Sequence, residues 1–215
     1  MQYKTEWVEF PDVEILCKRI GASPTEKKAD GRDHYTLPVI YDPHTKTVIS
    51  DSLAITKYLD TTYPDTPALL PEGTHAFQNI TYQLMRLTVM LPIMKIIISR
   101  VPQLLDSPSQ EYFRKTREAA FGRRLEDMSG EDHWVALENG LEKFKVCLEE
   151  NEKGKNILLG DDRITYADVQ LAAVFVWMRT VCGDDSEDWK RFSDLHGGKW
   201  AKFMEQFAEY EHVDN

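Results

Sequence analysis

Two short motifs that lie close together in the sequence could bind a small peptide. The first is TLPV at 36–39, where Pro38 starts an apolar run although it cannot donate a hydrogen bond to a sheet. The ordinary interpretation is a proline at the edge of a strand. The functional interpretation is a cis-proline that leaves the backbone amide and carbonyl of Leu37 free to pair with an extended peptide.

The second motif is Ser50-Asp51-Ser52, which opens a predicted helix. A helix N-terminus presents unpaired amides and the positive end of the helix dipole to an anion, although such residues more often serve only as N-caps. Asp51 would add an acidic group for an amine. Together, Leu37 and Pro38 with Asp51 and Ser52 predict a pocket for a small zwitterionic peptide.

A third motif, TYAD at 165–168, has the spacing of a helix capping box. The Thr165 side chain can accept from the amide three residues on, while Asp168 accepts from the Thr165 amide. Ile164 and Val169 would form the accompanying hydrophobic staple. Such a cap contributes about 1 kcal/mol and by itself indicates structure, not catalysis.

The cysteines and histidines indicate neither disulfides nor a metal site. Cys17, Cys147 and Cys182 are an odd number, widely spaced, without a Cys-x-x-Cys pair or clustered histidines. Each is expected to be a small buried hydrophobic residue, because none has a local signature of activation.

The charge of the chain excludes two classes of partner. The 215 residues carry 36 acidic and 26 basic side chains, a net charge of −10, which repels phosphate backbones and anionic membrane surfaces. No stretch approaches the about 18 uncharged apolar residues of a membrane span, and Glu6 and Glu9 stand where a secretory leader would be basic and then apolar. We therefore expect a soluble cytoplasmic protein that binds neither nucleic acid nor membranes.

The first part of the chain combines strands and helices. Aromatic and β-branched residues predict a strand at 3–10, and a short helix is expected at 12–21. Residues 22–33 lack periodicity and predict an exposed loop. Two apolar runs, 35–41 and 47–49, flank a turn and predict a hairpin, which a helix at 52–62 follows.

The rest of the chain predicts a helical bundle. Three prolines and a glycine between 63 and 73 mark a boundary, and helical periodicity follows it. Pro92 should kink the first helix and Pro102 should end it, a further helix is expected near 109–128, and 150–163 is expected to be a loop. Residues 169–178 are apolar on nearly every side and predict the centre of the bundle. The apolar stripes that predict the other helices are Ile80, Leu84, Leu87, Leu91 and Met94; Trp134, Leu137, Leu141, Phe144 and Leu148; and Trp200, Phe203, Phe207 and Tyr210.

These landmarks together resemble those of cytosolic glutathione transferases. They are TLPV, VISDSLAITKYLDTTYP, the proline-rich linker and RITYADVQLA, and they cover nearly the whole chain. The phrases TEWVEFPDVE and HYTLPVIYDP are similar to fungal transferases of the etherase-like group. The resemblance implies an α+β fold leaning to all-α. A thioredoxin-like glutathione-binding domain at 1–71 would precede an all-helical C-terminal domain at 72–215.

The resemblance also implies roles for the motif residues. Pro38 would be the cis-proline, Leu37 would bind the cysteinyl backbone of glutathione, and Asp51 with Ser52 would bind its γ-glutamyl end. Thr165 and Asp168 would be the structural cap of the folding core. Glutathione would be the co-substrate, with no metal. The second substrate would be a small hydrophobic or aromatic molecule, which would be conjugated in a detoxification reaction, cleaved at an ether bond or isomerised. The protein would be a homodimer.

The sequence departs from the family at its start. In the family a first strand and helix, which carry the Ser, Tyr or Cys that activates the thiol, precede the segment that 3–10 resembles. The N-terminal domain is therefore expected to be incomplete, and no catalytic residue is assigned, because neither Cys17 nor Ser23 follows a strand-to-helix turn of the family type. Three hypotheses stay open: an enzyme, a noncatalytic carrier of glutathione or other ligands, and a scaffold that binds no glutathione.

Overall fold

The first part of the chain is built on a hairpin between two short helices. The computed structural model describes residues 2–28, 30–151, 156–160 and 163–211. Helix α1 is Val13–Ile20, strands β3 and β4 are Val39–Asp42 and Thr47–Ser50, and helix α2 is Ser52–Thr62. The antiparallel register pairs Val39 with Ser50 and Asp42 with Thr47. The predicted hairpin and the helix at 52–62 are confirmed.

Two predictions for this part are wrong. Residues 3–9 do not form a strand, and Phe10–Asp12 is a 3-10 turn. Residues 22–33 are not entirely a loop, because β1 (Glu26–Lys27) pairs with β2 (Asp33–His34). A strand needs a neighbour to accept its hydrogen bonds, and the four described strands form two separate two-stranded sheets, neither of which includes residues 3–9.

The segment before α1 attaches to the helical bundle and not to a sheet. The ring of Phe10 packs against that of Phe113 with centroids 5.6 Å apart, and the Phe10 amide donates to Oγ of Ser109 at 2.9 Å. Trp7, in contrast, is 80% exposed. The first part has a small core of its own, in which the buried apolar residues are Val13, Cys17 and Ala22.

The described residues after the linker form the expected helical bundle. Its helices are α3 (His75–Met85), α4 (Leu91–Ile97), α5 (Ser107–Phe121), α6 (Glu131–Glu149), α7 (Tyr166–Cys182), α8 (Glu187–Asp194) and α9 (Lys199–Glu205). A π-helical turn, Arg86–Met90, joins α3 to α4 and ends two residues before Pro92. Helix α7 contributes nine buried residues and lies at the centre of the bundle, as its sequence predicts.

Several boundaries differ from the predicted ones. Helix α5 ends at Phe121, not near 128, because Gly122 takes a left-handed conformation with φ of 65°. Tyr210 is 64% exposed and lies in a separate 3-10 turn after α9, so it does not anchor the last helix. Of the predicted loop at 150–163, residues 152–155 and 161–162 lie outside the described residues, and a turn closes between Ile157 and Gly160.

The helix pair α3–α4 turns a different face to the bundle from the one that its apolar stripe predicts. Ile80 and Leu87 are 68% and 61% exposed, and Leu91 is also exposed. The buried face instead begins with Gln78 and Thr81 and continues through apolar residues. Because the first two buried positions are polar, apolar periodicity in the sequence does not identify this face as the buried one. An apolar stripe is therefore left on the surface.

The same helix pair qualifies the expectation about membrane spans. Residues His75–Ile97 are long and apolar enough to cross a membrane by length and composition alone, and 39% of the most apolar window is buried inside the protein. Core helices of soluble proteins pass the same test. The stretch contains Arg86 and Lys95, so it is not an uncharged span, and a single helix of this kind is weak evidence for a membrane segment.

Helix α6 packs so closely against the π-helical turn that the two backbones are in contact. A Cβ atom placed on Gly140, which is buried in α6, would lie 1.9 Å from the backbone oxygen of Thr88. Real Cβ atoms do not approach an oxygen so closely. The absence of a side chain at Gly140 is therefore what allows these two helices to meet.

Candidate functional site

The β3–β4 hairpin brings the two peptide-binding motifs side by side. Pro38 directly precedes β3 and Asp51 directly follows β4, and the amide of Asp51 donates to the carbonyl of Pro38 at 3.3 Å. The Leu37–Pro38 peptide bond is cis. Leu37 is 47% exposed, and Pro38 and Asp51 are also exposed. The four predicted residues thus form one accessible cluster at the end of the hairpin.

Asp51 holds an unusual backbone conformation at this point. Its φ and ψ are 78° and 129°, a region that residues with a side chain seldom adopt and that costs on the order of 1–3 kcal/mol. The carboxylate accepts the amide of Ala54 at 3.0 Å and so caps α2. Strain of this kind is concentrated in ligand sites, where the surrounding structure enforces it.

Ser52 is held by a residue of the helical bundle. Its Oγ lies 2.8 Å from the phenol oxygen of Tyr166, the first residue of α7. Tyr166 is 4% exposed, and its burial raises the pKa of the phenol above the ordinary value. Sequence reasoning assigned no role to Tyr166, and the only available signal was its place inside the TYAD motif.

The capping box at the start of α7 is present and lies next to this contact. One carboxylate oxygen of Asp168 accepts the Thr165 amide at 2.9 Å and the Thr165 hydroxyl at 2.6 Å, and the other accepts the Leu158 amide at 2.7 Å. Burial raises the pKa of Asp168, and these hydrogen bonds oppose that rise. Thr165 and Asp168 are fully buried, so they can support the site without touching a ligand.

The three cysteines, all of which the structure describes, show no sign of an activated thiol. Cys17 is 1% exposed and its burial raises the pKa of its thiol, which disfavours a thiolate. Burial also raises the pKa of Cys182, and Cys147 is exposed on α6. The three thiols are free. Within the described part of the chain, no group of three or more His, Cys, Asp and Glu residues could hold a metal ion.

A cavity of about 410 Å³ lies at the other end of α7, between the segment that follows α4 and the start of α8. It is lined by Val181 and Cys182, and the ion pair between Arg100 and Asp188 forms part of its wall. A helix rises 1.5 Å per residue, so Cys182 is about 24 Å along the helix from Tyr166. This cavity is therefore separate from the cluster at Pro38 and Asp51.

Comparisons with known proteins agree with this architecture. Residues 76–210 match the family described as glutathione S-transferase, C-terminal domain. The glutathione S-transferase-like protein ustS of Aspergillus flavus is 27% identical over 212 residues, which cover 92% of this chain and 74% of that protein.

Two solved structures extend the similarity over the whole chain. Glutathione transferase GSTFuA3 from Phanerochaete chrysosporium has a TM-score of 0.98 and 60% identity, and the match covers 100% of this chain and 86% of that one. CsGST63524 of Ceriporiopsis subvermispora, a glutathione S-transferase solved in complex with glutathione, has a TM-score of 0.94 and 38% identity, with 100% and 87% covered. The fold class and the family resemblance inferred from the sequence are confirmed, and the chain belongs to the glutathione transferase family.

Proposed function

We propose that this protein binds glutathione at the cluster formed by Leu37, Pro38, Asp51 and Ser52, and transfers it to a small hydrophobic or aromatic co-substrate in the cytoplasm. The observation that carries the proposal is the juxtaposition of the two motifs by the hairpin, with the cis peptide before β3 and the strained Asp51 after β4. The glutathione complex of the Ceriporiopsis subvermispora relative supports it.

Each end of the tripeptide has a matching group in the cluster. The exposed backbone of Leu37 would pair with the cysteinyl residue as a short extra strand. The Ser52 hydroxyl and the N-terminus of α2 would bind the γ-glutamyl carboxylate, since both direct hydrogen-bond donors to an anion. The Asp51 carboxylate would bind the γ-glutamyl amine, because it is exposed and negatively charged.

The reaction would be conjugation, or glutathione-dependent ether cleavage or isomerisation, and each requires the thiolate of glutathione. Lowering the pKa of a thiol by about two units takes about 2.7 kcal/mol of differential stabilisation. We assign this role to no described residue. A noncatalytic glutathione-binding protein is the second candidate, favoured by the burial of Cys17 and the high pKa of its thiol.

A second copy of the chain is the proposed occupant of the exposed apolar stripe on α3 and α4. Ile80, Leu87 and Leu91 are exposed on one helix pair, in a chain that carries a net charge of −10. Large exposed apolar patches mark association surfaces. We place the boundary between the glutathione-binding domain, 1–71, and the helical domain, 72–215, directly before the helix that carries this stripe.

The test is a calorimetric titration with reduced glutathione, followed by an assay with 1-chloro-2,4-dinitrobenzene. Saturable binding that the double substitution Asp51→Ala and Ser52→Ala weakens at least tenfold would support the site. Lys57→Ala, on an exposed position of the same helix, is the matched control and should bind as the parent does. Binding with turnover supports a transferase, and binding without turnover supports the noncatalytic candidate. A folded protein that binds no glutathione would refute both.

A further inference from the structure

The contact between Tyr166 and Ser52 joins the helical bundle to the candidate glutathione pocket across 114 residues of sequence. The backbone on either side of the phenol is fixed. The Tyr166 amide donates to the carbonyl of Leu69 at 2.8 Å, and the next amide, of Ala167, donates to the Gln78 side chain at 2.7 Å. These two hydrogen bonds thus hold the backbone that places the Tyr166 hydroxyl next to Ser52.

The number of protons determines the direction of this hydrogen bond when a carboxylate is bound. A hydroxyl has one proton to donate, so Ser52 can donate to a carboxylate only if the proton between the two oxygens comes from Tyr166. A phenol is protonated at neutral pH, and burial raises the pKa of Tyr166 further. Hydrogen bonds that act in series also strengthen one another.

We propose that Tyr166 is a positioning residue for glutathione, which donates its hydroxyl proton to Ser52 and thereby directs the Ser52 proton to the γ-glutamyl α-carboxylate. This role rests on the proposed binding of glutathione at Asp51 and Ser52. It also makes the first turn of α7, whose cap is structural, part of the ligand site. Tyr166 itself touches Ser52 and not the reacting thiol.

A double-mutant cycle with two ligands tests the role. Tyr166→Phe, Ser52→Ala and the double variant are titrated with reduced glutathione and with 4-aminobutyryl-cysteinylglycine, which lacks only the γ-glutamyl α-carboxylate. We expect Tyr166→Phe to raise the Kd for glutathione about fivefold and Ser52→Ala to raise it about tenfold or more, as hydrogen bonds to a charged group predict. The double variant should bind no more weakly than Ser52→Ala. The analogue should bind the parent and Tyr166→Phe equally.

Two further variants separate positioning from stability. Tyr63→Phe removes a phenol hydrogen bond to Asp42 at the far end of α2; it should lower stability and keep the affinity for glutathione. Ser52→Thr keeps a hydroxyl and should keep the dependence on Tyr166.

The outcomes distinguish the two proposals. If the parent protein binds no glutathione, the proposed function fails and the positioning role fails with it. If the parent binds glutathione and Tyr166→Phe binds it equally well, the positioning role alone is refuted. It is also refuted if Tyr166→Phe weakens both ligands alike, or if the effects of the two substitutions on glutathione binding are simply additive.

Discussion

Asp51→Gly is expected to leave the protein at least as stable as the parent, whereas Asp51→Ala is expected to destabilise it. The reason is the backbone of Asp51, which has φ of 78° without being glycine. Glycine adopts this conformation freely, so the substitution removes a strain on the order of 1–3 kcal/mol. Alanine retains the strain and loses the hydrogen bond from the Ala54 amide.

The magnitudes favour glycine by a measurable margin. Against the released strain stand about 0.5–1 kcal/mol for the greater freedom of glycine in the unfolded chain and a few tenths for the weaker cap. The net change in the free energy of unfolding for Asp51→Gly is thus about 0 to +2 kcal/mol. For Asp51→Ala the lost cap costs about 1 kcal/mol, which in a chain of this size lowers the Tm by about 2–4 °C.

The assay combines thermal melting with calorimetric titration of glutathione. Both substitutions remove the carboxylate proposed to bind the γ-glutamyl amine, so both should weaken glutathione binding although their effects on stability differ. Asp51→Asn is the matched control, because it keeps an oxygen for the Ala54 amide and loses only the charge. It should bind glutathione more weakly at nearly unchanged stability. A glycine variant that melts below the alanine variant would refute the strain argument.

Four other perturbations have definite expected outcomes. Thr165→Ala should lower the Tm by about 2–4 °C through the lost cap, while the affinity for glutathione stays nearly intact. An unchanged Tm would show that the cap does not stabilise the protein. The hydroxyls of Tyr58 and Tyr63 hold the pKa of Asp42 below its usual range, so this carboxylate adds stability above about pH 3.9 that is lost as the pH falls. Acid unfolding of Tyr63→Phe, followed by circular dichroism, should therefore begin at a higher pH. An unshifted midpoint would show that the hydrogen bond from Tyr63 to Asp42 does not stabilise the protein. Leu87→Glu should turn the proposed dimer into a monomer in sedimentation at little cost in monomer stability, because the side chain is exposed; a dimer that persists would exclude this surface. Gly140→Ala should destabilise the protein by about 1–3 kcal/mol, measured by urea unfolding, and a neutral result would mean that the helix pair separates easily.

The sequence predicted those parts of the structure whose signals are local. The hairpin at β3–β4 and the limits of α2 follow from turn residues and from caps that act within a few positions. The capping box at 165–168 is equally local. All the residues expected to bind glutathione belong to such local motifs, and the hairpin is what brings them together.

The failed predictions depended on partners far away in the sequence. Residues 3–9 have strand-forming composition, yet the composition cannot show whether a neighbouring strand is there to pair with them. Gln78 is polar and fully buried, because its side-chain oxygen accepts the Ala167 amide from 89 residues away. Tyr166 reaches Ser52 over a still longer separation. No periodicity or spacing carries such information.

The approach of α6 to the π-helical turn limits how this family can diverge. Most core positions can exchange one apolar side chain for another of similar volume, provided that neighbours adjust. At Gly140 the neighbour is a backbone oxygen, which cannot change its size or its chemistry. A relative with any other residue at this point must therefore have moved one of the two helices outward. The identity of a single residue in a relative's sequence would thus report whether its two helices lie in backbone contact or apart.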